Sequence, residues 1–346
     1  KLNANQEVPM RLCMTDTMLD RLGIGIKDKS LPPCDRAGVL NDTYALLKAG
    51  MVSPATFFKL LSYYIDEDDA IVWGALEGKL SGLSTVLSED DVLSARFRTF
   101  ASRLVRGLTK IVGWDPSPSD GHLTTLLRGT MLTLLSKFCY DDDDISTEAM
   151  RRFKVFLSDA SDVQTLPSDM RTSVFKIVLK NGGVKEYDAL KQYSKTTTDA
   201  AEEKMVLTSL GESLDDALKL RTLEWSISGD VKLQSFFYPM GSVGRSSKRG
   251  REISWDFYKR QFFTIKNMIG KASPSLMDAC IVYCAGSFCS HGMAEEIETF
   301  FKENPLPLST RTVNQMVENM RTNATFLERL KGSELQQESF WSSITR

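Results

Sequence analysis

Between Glu89 and Val112, apolar residues return every three or four positions: Leu93, Phe97, Phe100, Leu104, Leu108 and Ile111. That spacing lines one face of an α-helix. Most of the chain reads the same way. "PCDRAGVLNDTYALLKAG" places Pro33 in a first helical turn and Gly50 just past the end. In "SPATFFKLLSYYI", Ser53 is a natural N-cap and Pro54 a natural first helical residue. Two acidic runs, one before "AIVWGALEGKLSGLSTVL" and one in "DDDDISTEAM", put carboxylates at the positive end of a helix dipole. About sixteen helices joined by short connectors follow from this pattern. Strand-like alternation is confined to "KLNAN" and "VPMRLCM". The pattern predicts an all-α chain, an irregular α-solenoid of stacked helical hairpins in the HEAT or armadillo style. The helical domain is expected over residues 15–332, after a short β remnant at 1–14. A C-terminal tail over 333–346 has too few apolar residues to show a period.

Length and composition sharpen this picture. At 346 residues, 42% of them hydrophobic, the chain can bury a large core, and its length suggests about two domains. A net charge of −2 lacks the overall basic excess of a nucleic-acid binder. No apolar run approaches the ~20 residues of a membrane helix. Neither a nucleic acid nor a membrane is therefore expected as partner. The N-terminus has neither an initiator Met nor a signal core, and reads as a cut from a longer polypeptide. The six cysteines lack zinc-ligand spacing; Cys280 and Cys284, one turn apart, read as buried thiols. His291 follows Cys289 closely, without further ligands in the run.

Candidate binding chemistry is cationic. Arg96, Arg103, Arg106 and Lys110 share a flank of the Glu89–Val112 helix, either as a solvated face or as a wall for carboxylates. The run "YPMGSVGRSSKRGREISW" reads as an exposed inter-helix loop, with Arg245, Lys248, Arg249 and Arg251 as a docking patch for an acidic group. It follows no strand and lacks the Gly-Lys-Ser/Thr of a nucleotide loop. Of the two histidines, His122 begins a helix behind "GWDPSPSDG", with Asp120 expected as its N-cap. Asp35, Arg36 and Asp42 are expected to tie adjacent helices together. Trp73, Trp114, Trp225 and Trp255 read as packing anchors. Asn41-Asp-Thr and Asn323-Ala-Thr match the glycosylation pattern but fall in expected helices, and neither is expected to be modified. No His-Glu-x-x-His or Gly-x-Ser-x-Gly sequence is present, so the residues alone describe a scaffold or binding module without its own reaction.

"GWDPSPSDGHLTTLLRG" and "SLPPCDRAGVLNDTYALLKAG" resemble the C-terminal region of the M1 family of zinc aminopeptidases, in its puromycin-sensitive branch. "VFKIVLKNGG", "SKRGREISWDFYKRQF" and "STRTVNQMVENM" agree in order and spacing, and the likeness extends from Lys1 to about Leu330. "KLNANQEVPMRLCM" is similar to the end of the family's preceding β-sandwich. There an aromatic-rich turn is replaced by Val8-Pro9-Met10-Arg11, with only Arg11 in common. The resemblance implies a cytoplasmic parent enzyme whose separate catalytic domain carries the zinc, while this portion carries no cofactor. It implies a helical domain that covers the active-site chamber, limits peptide access and contributes binding surface. Its partners would be the parent's catalytic and β-sandwich domains and peptide substrates. Relatives in the endoplasmic reticulum hold a peptide's terminal carboxylate with basic and tyrosine residues of this domain; the resemblance carries none of those residues over to numbered positions here. A free-standing armadillo-like interaction scaffold is the alternative function.

Overall fold

The computed structural model describes residues 2–270 and 273–345. Among them are seventeen α-helices, four short 3-10 turns and no strand. The chain forms two compact units, Lys1–Cys139 with Thr325–Arg346, and Tyr140–Ala324. The first holds α1 (Asp16–Lys27), α2 (Pro33–Ala49), α3 (Pro54–Ser62), α4 (Ala70–Leu87), α5 (Asp91–Val112) and α6 (His122–Phe138). The second holds α7 (Asp143–Ser158), α8 (Ser168–Asn181), α9 (Val184–Thr196), α10 (Ala200–Leu207) and α11 (Asp216–Ser226). It continues with α12 (Phe237–Gly244), α13 (Lys248–Ile269), α14 (Pro274–Ala285) and α15 (His291–Glu303). α16 (Thr310–Lys331) starts in the second unit, and its residues from Thr325 belong to the first, as does α17 (Glu338–Ile344).

Helix boundaries follow from local chemistry. Ser53 Oγ accepts from Thr56 N at 3.0 Å, Asp69 from Ile71 N at 2.8 Å and Asp90 from Leu93 N at 3.0 Å. Each cap satisfies an N–H that the helix itself leaves open. α2 begins at Pro33 and stops where Gly50 takes φ 77°, a left-handed conformation that a Cβ disfavours. In α5 the expected apolar stripe is buried from Leu93 to Leu108, while Ile111 is exposed near the helix end.

Within each unit, helices pack on their next and next-but-one neighbours: α2 on α4, α4 on α5 and α6, α12 on α13 and α14. The core of the first unit is aromatic. Phe58 meets Phe57, Phe97 and Phe100 with ring centres 5.9–6.1 Å apart, and Phe97 meets Phe138 at 5.9 Å. Trp341 of α17 closes this cluster, 5.2 Å from Phe58, and donates its Nε1–H to Leu335 O at 2.7 Å. The tail thus packs chiefly through Trp341 and the buried Leu335, too sparse a signal to produce a sequence period.

Three expectations are corrected. The N-terminal stretch is not a β remnant. It forms a 3-10 turn over Ala4–Gln6, with Asn5 at φ 56°. No neighbouring strand offers it a ladder; Asp35 accepts from Asn5 N at 2.8 Å and Asp42 from Leu12 N at 3.3 Å instead. These two carboxylates anchor the N-terminal segment to α2, and Asp42 does so instead of bridging to another helix. Asp120 is not the cap of α6, which begins after Gly121. It accepts from Ser117 N and pairs with Arg128 at 2.7 Å, fastening the loop to the helix.

Candidate functional site

The eight cations read from sequence divide between the two units. In the first, Arg96 is half-buried and donates to Gln336 O at 2.6 Å, so it holds the tail rather than a ligand. Arg103, Arg106 and Lys110 are exposed along the flank of α5. In the second, Arg249 pairs with Asp216 at 2.8 Å and Glu252 at 3.2 Å. Arg251 is buried and Lys248 half-buried at the start of α13. Of these four, Arg245 projects beside a formed concavity, a pocket of about 260 Å³.

That pocket exists because the glycine-rich run is not a loop. Phe237–Gly244 is a buried helix, α12, and Gly241, Ser242, Val243 and Gly244 are all buried. A Cβ on Gly241 would lie 2.5 Å from the Tyr283 ring, and one on Gly244 would lie 2.2 Å from Tyr283 O. The glycines are there for close approach of α12 and α14, not for flexibility. Tyr283 is consequently clamped, its ring stacked on Phe237 at 5.4 Å and 10°. The Arg245 guanidinium lies over the other aromatic surface, 4.1 Å from the Tyr283 centroid. Across the pocket Lys204 sits 4.8 Å from the Tyr238 ring centre. Each ring quadrupole holds a cation without neutralising it.

Beneath them lies a charged floor. Glu212 accepts from Lys176 at 3.2 Å and Lys180 at 3.3 Å. Burial would raise its carboxyl, but Lys180 and Lys176 outweigh that and hold it down to about 2. Lys219 is buried behind the turn Leu210–Glu212. Its ammonium donates to Gly211 O at 2.8 Å, to Ser213 O and to Ser246 Oγ at 3.1 Å. Burial lowers this amine to about 8. Lys176, Lys204 and Arg245 thus line the pocket with Glu212 as its one carboxylate, which gives it a positive field suited to an anion. Sequence reading found Arg245 but missed Tyr238, Tyr283, Lys204, Lys176 and Glu212. The available signal was the Gly241/Gly244 spacing, a close-packing face when placed in a helix.

The residues present do not fit a zinc site. Among the described residues no three His, Cys, Asp or Glu side chains cluster as ligands would. His122 and His291 are each the exposed first residue of a helix. Cys280 and Cys284 are buried, as expected, with Cys280 Sγ 3.4 Å from Met240 Sδ.

The model of the ERAP1-like C-terminal domain matches residues 1–322. The chain belongs to this family, the C-terminal domain of M1 aminopeptidases. This ERAP1-like domain is 28% identical over 332 residues to Aminopeptidase M1-A of Oryza sativa subsp. japonica, covering 95% of the chain and 37% of the relative. It is 28% identical over 337 residues to Aminopeptidase M1 of Arabidopsis thaliana, covering 96% and 37%. With the Puromycin-sensitive aminopeptidase of Caenorhabditis elegans it shares 25% over 338 residues, covering 95% and 35%. The chain therefore spans little more than a third of the length of the curated relatives it matches. No helix among the described residues is long and apolar enough to cross a membrane.

Proposed function

We propose that this ERAP1-like domain is the non-catalytic wall of an M1 zinc aminopeptidase of the puromycin-sensitive kind. In this reading its helical hairpins curve as an irregular solenoid over the parent's zinc-bearing domain and close the chamber in which peptides lose their N-terminal residues. The pocket between α10, α12 and α14 receives a carboxylate from the distal part of the peptide, and the enclosure selects peptides by size. The observation that carries this reading is the tyrosine-backed pair of cations, Arg245 and Lys204, neither with a carboxylate partner among the described residues. In this reading the parent enzyme is cytosolic.

Binding of a fluorescent ten-residue peptide tests the pocket. The free-acid form is expected to bind about tenfold more tightly than its C-terminal amide, the worth of one charge-assisted hydrogen bond. Arg245→Gln should reduce the acid to the affinity of the amide. Equal binding of acid and amide to the unaltered chain would contradict the role given to Arg245.

A further inference from the structure

A second concavity, of about 420 Å³, lies wholly within the first unit and takes no part in the reading above. It falls at the small end of ligand pockets, which run from roughly 300 to 1,000 Å³. Phe100 and Leu104 of α5, both buried, give it an apolar floor, with Phe340 and Ile344 of α17 as one wall; Ser62, Tyr63, Ser343 and Thr345 add polar atoms to the lining. That wall is fixed in place, because Trp341 is seated against Phe58 and Phe100 and because Arg96 holds Gln336 O. Lys27, Lys59 and Arg103 stand around the floor, and no carboxylate is among its described lining residues. Asp20 pairs with Lys59 at 2.7 Å; Arg103 and Lys27 have no acidic partner among the described residues.

An apolar floor beside two uncompensated cations, Arg103 and Lys27, selects two properties at once. The ligand must present an apolar body to Phe100 and Leu104, and it must carry net negative charge. Acetate lacks the body and a neutral alcohol lacks the charge. A zwitterion would bring an ammonium among like charges or bury it against the floor, and either costs binding. Free amino acids, the products of an aminopeptidase, are excluded by the same argument. We propose that this cavity is a binding site for small amphipathic monocarboxylates, with Arg103 receiving the carboxylate and Phe100, Leu104 and Ile344 covering the apolar body.

Calorimetric titration of the 346-residue chain with sodium octanoate tests this. Octan-1-ol, acetate and 8-aminooctanoate serve as controls that remove the charge, the body and the net charge in turn. Octanoate is expected to bind at one site at least tenfold more tightly than each control. Arg103→Gln should weaken octanoate about tenfold, the loss of one charged hydrogen bond. Lys110→Gln, on the same helix but away from the cavity, should leave binding unchanged. Arg103 is exposed, so its replacement leaves the core intact, which a thermal melt of the variant verifies. The proposal is overturned if octanol binds as tightly as octanoate, if Arg103→Gln changes nothing, or if octanoate produces no binding heat.

Discussion

The most consequential single residues are buried charges whose partners are complete. Arg36 and Glu67 are each 3% exposed and meet in two parallel bonds of 2.7 and 2.8 Å. Arg36 also donates to Leu31 O, and Glu67 Oε1 accepts from the Asp68 and Asp69 N–H groups. Satisfaction of this kind is what allows charges into an interior at all. Arg36→Met, leaving Glu67 alone, is expected to cost about 3–5 kcal/mol in urea unfolding. The double variant Arg36→Met/Glu67→Leu should recover most of that; a double variant as unstable as the single one would show that the pair itself stabilises the fold. The charged floor of the second unit predicts a pH profile. Glu212 is held down from its ordinary 4.5 to about 2. Its depressed value means that stability is present above the unfolded value and lost as pH falls through the folded one. A loss on the order of 3 kcal/mol is therefore expected between about pH 4.5 and 2. Lys219 is also lowered, to about 8, so the folded state releases its proton before the unfolded chain does. Stability from this group rises as pH climbs from about 8 toward 10.5. Glu212→Gln should flatten the acid limb and Lys219→Met the alkaline rise in unfolding free energies measured against pH.

At the scale of elements, periodicity, caps and punctuation were enough to place most helices. Pro33 and Gly50 bracket α2, and Asp90 starts α5 where the apolar stripe begins. What failed was α12, because Gly, Ser and Pro mark loops by conformational preference and close helix packing by size, and a sequence does not say which. The two meanings separate on mutation. Gly244→Ala places a methyl 2.2 Å from Tyr283 O and should destabilise by about 3 kcal/mol. Gly74→Ala, in an exposed interior position of α4 with nothing within 4 Å, should stabilise by up to about 1 kcal/mol. Chemical-denaturation midpoints of the two variants should therefore move in opposite directions. A shift of both toward stability would mean that α12 behaves as the loop its composition suggests.

For the molecule as a whole, the helical class and the absence of a local zinc motif were legible, because both are written in short spacings. The pocket was not. It depends on Tyr283 reaching across to Arg245, thirty-eight positions away, and on Glu212 being drawn between Lys176 and Lys180. Such juxtapositions are products of packing between elements and leave no local pattern. The tail was illegible for the same reason, since Trp341 finds its partners in α3 and α5. The division of labour proposed here, a peptide-holding domain acting with a separate zinc-bearing one, is tested most directly by reconstitution. The purified chain is assayed with zinc on a fluorogenic aminoacyl substrate, alone and after addition to the zinc-bearing portion of its parent enzyme, and the mixture is then given a ten-residue peptide. No turnover by the chain alone is expected, and a rise in long-peptide trimming when the two are combined. Chelator-sensitive hydrolysis that follows the chain alone through successive purification steps, or trimming that the chain leaves unchanged, would contradict that division of labour.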